Sequence, residues 1–284
     1  SLGQPRQAFT ADATLTNFGY NKALIGDVAV KATNPTSDRF NVDARLTNAT
    51  GMDVRATGYY IANPPDPIEF NVDVNRLDLK IIEPFSLGQL REMGGGVTGQ
   101  LRVTGNVSRP LINGTLTTTP DATFTLTQLG APYFLASQEI DFTPEGIRLD
   151  DFVVRDSIGN RATVNGYVRT TDYVNDFRFD LDAHTEDFLA VQSSQRDNPL
   201  FWGKLLVDSD SRITGNLNLP VVRTRARVET GSALSVAVPN DDPVEVQRAG
   251  IVEFIDKSAP LDTMLARQVP LDTAETTPGY DVQA

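Results

Sequence analysis

The chain has 284 residues, of which 40% are apolar, with no cysteine, a single histidine and a formal net charge of -12. That length suffices for one large all-β unit or two smaller ones with a buried core, and the apolar share predicts a core that is thin for the length. The acidity argues against nucleic acid, whose phosphates need a basic patch, while the missing cysteines exclude thiol nucleophiles, disulfides and cysteine zinc sites and leave His184 as the only imidazole.

In chain order the dominant signal is a period of two. Leu24, Gly26, Val28, Val30 and Ala32 fall on one face, then Phe40, Val42, Ala44 and Leu46, then Met52, Val54, Ala56, Gly58 and Tyr60, then Phe70, Val72 and Val74. Residues that alternate this way point to opposite sides of a strand, so each segment has one oily and one wet face. Next comes a break: Glu83-Pro84-Phe85 with Leu87 and Leu90 at helical spacing, then Gly94-Gly95-Gly96. It predicts a short helix over 83–93 capping one end of the sheet, followed by a glycine hinge.

Alternation resumes in Val97 to Gly105 and recurs in Ala162, Val164, Gly166 and Val168, in Phe177, Phe179, Leu181 and Ala183, and in Leu234, Val236 and Val238. A second break, Thr185 to Gly203, predicts a long loop with a helical turn near Phe188 to Gln192. Asn34-Pro35, Asn48 to Gly51, Asn63 to Pro67, Pro120-Asp121, Thr143 to Gly146 and Asp156 to Asn160 punctuate the segments as turns. Wet-faced strands at this spacing predict an elongated antiparallel β-meander with one short helix, an all-β fold. A loose repeat couples Gly99-x-Leu101-x-Val103-x-Gly105, Pro110 and Gly114-x-Leu116 to Ile213-x-Gly215-x-Leu217-x-Leu219-Pro220. The β segment is expected over 1–256 and a linker or disordered tail over 257–284, where prolines, threonines and acids replace the alternation.

Chemistry-bearing candidates are few. His184 stands among Asp180, Asp182, Glu186 and Asp187, which could in principle make a base or a metal site, yet acids alternating on a wet strand face read as a solvated edge. Asp208-Ser209-Asp210 and Asn240-Asp241-Asp242 could offer calcium ligands at turns, but neither has the spacing of a twelve-residue loop. Neither a phosphate-binding glycine loop nor a nucleophile elbow is present. Thus no catalytic residue, metal site or cofactor is expected. No run approaches the roughly 20 apolar residues of a membrane-crossing helix, so no span is expected either. The pattern begins and ends in mid-rhythm, which reads as a piece of a longer protein. The phenylalanines at 124, 134, 142, 152, 177, 179 and 201 either fill a closed sandwich core or line an oily face open to acyl chains.

Several motifs, in order, resemble the TamB family of AsmA-like proteins: Leu77-Asp78-Leu79 with Ile82-Glu83-Pro84-Phe85, the Gly99 to Leu116 pattern, and Asp156-Ser157-x-Gly159-Asn160-x-Ala162. Asp197-Asn198-Pro199-Leu200-Phe201-x-Gly203, Ile213-x-Gly215 and Gly231-Ser232-x-Leu234-x-Val236 continue the order. The layout resembles the Bacteroidetes-type version and covers residues 10–256.

The resemblance implies a periplasmic protein anchored in the inner membrane. Its sheet would fold lengthwise into a taco-like groove with a hydrophobic interior, as the C-terminal part of the full-length chain. It implies phospholipid transport between the membranes, outer-membrane protein assembly through an Omp85-type partner, and no enzymatic activity. The residues expected to line the groove against phospholipid acyl chains are Val28, Val42, Val72, Leu101, Val103, Leu116, Phe124, Val164, Phe177, Phe179, Leu181 and Leu217. The rival expectation is a structural or adhesive β-sandwich of a cell-surface protein, stabilised by calcium.

Overall fold

The computed structural model of the protein describes residues 9–237, except 21, 22, 37, 64, 66, 174 and 175. The expected tail at 257–284, Val238 and the Asn240-Asp241-Asp242 turn lie outside the described residues.

Seventeen strands make one antiparallel sheet. They are β1 (Phe9–Tyr20), β2 (Ala23–Asn34), β3 (Arg39–Thr47), β4 (Asp53–Ile61), β5 (Ile68–Asp78) and β6 (Leu90–Gly94). Then come β7 (Gly96–Asn106), β8 (Arg109–Thr118), β9 (Thr123–Leu126), β10 (Pro132–Phe134), β11 (Glu139–Thr143) and β12 (Gly146–Arg155). The last are β13 (Arg161–Arg169), β14 (Arg178–Ser193), β15 (Phe201–Asn216), β16 (Pro220–Val228) and β17 (Ala233–Val236). The main ladder runs β1 to β5 in order, then β7, β8, β11 to β15. Strand β15 carries β16 on its C-terminal half and β17 on its N-terminal end. Strands β6, β9 and β10 pair with one another and rejoin the ladder through Phe134 and Arg155 of β12. The ladder therefore begins at β1 and ends at β16 and β17 without closing into a barrel.

Bulges bend this sheet. The register slips near Asn17 of β1, Asp151 of β12 and Asp187 of β14, where φ is 55°, 46° and 49°. An extra residue in one strand kinks it and raises its twist. All three bulges are held in the same way. The displaced amide donates to a side chain of the neighbouring strand: Asn17 to Asp27 at 2.8 Å, Asp151 to Asn165 at 2.6 Å, Asp187 to Asp208 at 2.8 Å. A ladder amide that would otherwise be orphaned is thereby satisfied.

The loose repeat becomes a hairpin used twice. Gly105 pairs with Pro110 across the β7–β8 turn, and Gly215 pairs with Pro220 across the β15–β16 turn. Asn106 accepts from the amides of Ser108 and Arg109, and Asn216 from those of Asn218 and Leu219. The glycines adopt φ of 91° and 90°, a region that side chains with a Cβ rarely enter.

Two expectations are corrected. The helix over 83–93 is instead a 3-10 segment over Leu79–Phe85, and Leu90 to Gly94 is strand β6. Leu87 and Gly88 at φ 53° and 80° turn the chain out of the helix, so the Leu87/Leu90 spacing never shares a helical face. The loop over 185–203 is also wrong: β14 continues to Ser193 and β15 starts at Phe201. The two bulges in β14 shift the phase of its alternation, which hid the strand.

Candidate functional site

One face of the ladder is apolar from strand to strand. Partners across an antiparallel ladder stand side by side on one face, so registers trace rows. The row through Val30, Ala44, Ala56, Val72, Leu101 and Gly114 continues through Phe142, Ile147, Val168, Phe179 and Gly215 to Pro220. With Ala13 of β1 opposite Val30, it crosses thirteen strands without one polar side chain. Parallel rows flank it: Leu15, Val28, Leu46, Val54 and Val74 on one side, and Ala32, Val42, Gly58, Phe70, Val103 and Ile112 on the other.

Nine of the twelve residues expected to line a groove fall on this face. Val72, Leu101 and Phe179 sit in the central row, Val28 and Leu116 in one flank, and Val42 and Val103 in the other. Val164 and Leu181 continue the face in β13 and β14. Phe124 lies in β9, in a second layer over the face, with its ring 5.3 Å from that of Tyr133. Phe177 precedes β14, and Leu217 lies in the β15–β16 turn, so neither belongs to a ladder row.

Cover on the face is uneven. Over the middle, the 3-10 segment and β6, β9 and β10 bury Val74, Leu116 and Phe152 together with Leu79, Met93, Ala122 and Leu135. A neighbouring cluster joins Tyr133, Phe188 and Ala162, with the Tyr133 and Phe188 rings stacked at 5.6 Å. Towards the edges no described residue covers it: Leu15 and Leu24 are exposed at β1 and β2, Val222 and Val228 at β16.

The opposite face is polar and cross-linked by ions. Arg45 Nε reaches Asp53 at 2.7 Å and Arg55 Nη2 reaches Asp43 at 2.6 Å. Arg102 binds Glu69, Arg148 binds Asp141, and Arg212 binds both Asp180 and Asp182. The hydrogen bond from Arg45, helped by one from Asn75, holds the Asp53 carboxyl at about 2, and Arg55 holds Asp43 below the usual carboxylate range. His184 is on this face with Nδ1 2.8 Å from Asp210, whose hydrogen bond raises the pKa of the imidazole. Asp208 and Asp210 lie in mid-strand rather than at a turn, bonded to Arg227 and to His184. The sequence reading passed over two strands that bound this surface. Ala11-x-Ala13-x-Leu15 in β1 and Arg223-x-Arg225-x-Arg227 in β16 carry the same period of two, and following that period would have found both.

Among the described residues no helix is long and apolar enough to cross a membrane. Residues 150–281 match the family model described as the TamB C-terminal domain. No curated protein and no solved structure matches the chain. The family match takes in β13 to β17, whose order of glycine, proline and alternating apolar residues builds the second half of the apolar face, so the likeness to the TamB family is carried by residues 150–281.

Proposed function

We propose that this chain is a non-enzymatic segment of a periplasmic conduit whose apolar face receives phospholipid acyl chains moving between the inner and outer membranes. The observation that carries this reading is the central row from Ala13 to Pro220, thirteen strands without a polar side chain and bare towards both edges. Each acyl CH₂ taken out of water is stabilised by about 0.8 kcal/mol. A surface without fixed polar groups holds chains without fixing their position, which suits sliding cargo rather than one specific ligand. The match of residues 150–281 to the TamB C-terminal domain supports a role in the translocation and assembly module, so support of outer-membrane protein assembly through an Omp85-type partner of the full-length protein belongs to the same proposal. A β-sandwich reading needs two facing sheets, and the described strands form one.

The test is lipid capture. The purified chain, extracted with organic solvent, should yield phospholipid by mass spectrometry, and photo-crosslinking residues placed at Val28, Val42 or Val103 should capture it. Leu101→Glu or Phe179→Glu should abolish co-purification while the far-UV spectrum stays β-like. Phospholipid absent from both the extract and the crosslinks removes the conduit reading for this segment.

A further inference from the structure

An open cavity lies on the polar face, opposite the apolar rows. It measures about 970 Å³ and is lined by Thr163, Asn165, Asp182, His184, Asp210, Arg212, Arg223 and Arg225, among others. Three arginines and two aspartates line it, with Asp180 on Arg212 and Glu186 3.7 Å from His184 Nε2 at its margin. Both carboxylates are already engaged, Asp182 by Arg212 and Asp210 by His184. Among the described residues Arg223 and Arg225 make no ion pair.

The polar face holds its own control for this arrangement. Arg45 and Arg55 also stand directly opposite each other across β3 and β4, a like-charge pairing that costs stability. Each of them, however, has a carboxylate diagonally beside it, Asp53 at 2.7 Å and Asp43 at 2.6 Å. Arg212 and Arg223 face each other in the same way across β15 and β16, but the acid diagonally beside Arg223 and opposite Arg225, Asp210, is bonded to His184 instead. Arg223 and Arg225 are alternate residues of one strand, so they project from the same side about 6.7 Å apart. Two guanidinium forks on alternate residues of one strand can both donate to the oxygens of one phosphate.

We propose that this cavity binds a phosphate group between Arg223 and Arg225, with the ring of His184 at its rim. The phosphate can come from a soluble phosphoester or from a lipid headgroup, and the two sources are separable. His184 is the only histidine, so its ring proton signal reports on the cavity without assignment ambiguity. Inorganic phosphate titrated into the whole chain at constant pH and ionic strength should displace that signal saturably. The R223Q/R225Q double variant, with both positions exposed on β16, should fold normally and bind at least tenfold more weakly. Flotation with phosphatidylglycerol vesicles gives the second arm. Vesicle binding that drops in the double variant identifies a headgroup, whereas a phosphate response with no arginine-dependent flotation identifies a soluble ligand. A His184 signal that phosphate leaves unmoved, or moves equally in the double variant, together with flotation indifferent to the arginines, overturns the proposal. The outcome is independent of the lipid-capture test, because these side chains lie on the opposite face from the apolar rows.

Discussion

The covered middle and the bare edges of the apolar face are written in the same alternation, yet they end in different states. In the middle, Val74 and Leu116 keep 4% and 5% of their exposure, while Leu24 and Val228 near the two edges keep 68% and 63%. What differs is what stands opposite. Between β5 and β12 the chain leaves the ladder twice, first through the 3-10 segment and β6, then through β9 and β10, and these excursions pair into a second layer. Near β1 and β16 no such excursion exists among the described residues. Alternation makes an oily face; only a second layer makes a core. A side chain fully withdrawn from water adds about 1.5–3 kcal/mol, so the middle carries most of the packing stability. The edges rest on ladder hydrogen bonds and on the ion pairs of the polar face.

That contrast can be broken most directly by truncating one side chain in each region. Phe152, 8% exposed and packed with Leu135 and Val164, should cost about 3–5 kcal/mol as Phe152→Ala. Val228→Ala, at the bare edge, should cost less than about 0.5 kcal/mol. Urea unfolding followed by tryptophan fluorescence measures both. Equal losses would show that the edge packs against something after all, and the distinction would collapse.

A second probe in the middle acts through a turn rather than through packing. Asp156 is 2% exposed, and its carboxylate accepts from three backbone amides, those of Ile158, Asn160 and Leu189. It ties the β12–β13 turn to β14 at Leu189, next to Phe188. Asp156→Ala leaves those amides without their acceptor and should cost about 2–3 kcal/mol. Hydrogen exchange should place the loss at Leu189 and the β12–β13 turn. A variant as stable as the parent, with those amides still protected, would mean that water replaces the carboxylate and that the region is not sealed.

How much of this was legible in the sequence depends on phase. Unbroken alternation, as in Val97 to Gly105, gave the strand and its oily face, because side chains on a pleat can only point two ways. It failed where a bulge shifts the phase. Glu186 and Asp187 interrupt β14, and the segment beyond them resembled a loop although Phe188 and Val207 continue the apolar face. It failed again at Leu79 to Gly94, where Pro84 and leucines at helical spacing masked a 3-10 segment followed by a strand that pairs with β9, more than thirty residues away. Nine of the residues expected to line a groove share the apolar face because they sit in register-locked strands. Phe124 was assigned to the face itself, but it covers that face from β9, a choice made by tertiary pairing that no local period records.

The smallest expected effect tests the polar face that holds the bare region in shape. Arg45 and Asn75 both donate to Asp53, which keeps its carboxyl at about 2 rather than 3.8. A carboxyl whose value is depressed on folding stabilises the fold above its unfolded value, and that contribution disappears as pH falls through its folded value. The bridge therefore supports β3 to β5 at neutral pH and is lost between roughly pH 4 and pH 2. Because the pair is open to solvent, screening keeps its energetic share small, so the sensitive readout is titration rather than melting. The carboxyl carbon signal of Asp53 should show a midpoint near 2. Asn75→Ala removes one of its two donors and should raise that midpoint part of the way to 3.8, with amides of β3 to β5 exchanging faster on acidification than those around Leu116. An Asp53 midpoint at the ordinary carboxylate value, or amides in the middle loosening first, would place the support of the bare region in its backbone ladder alone.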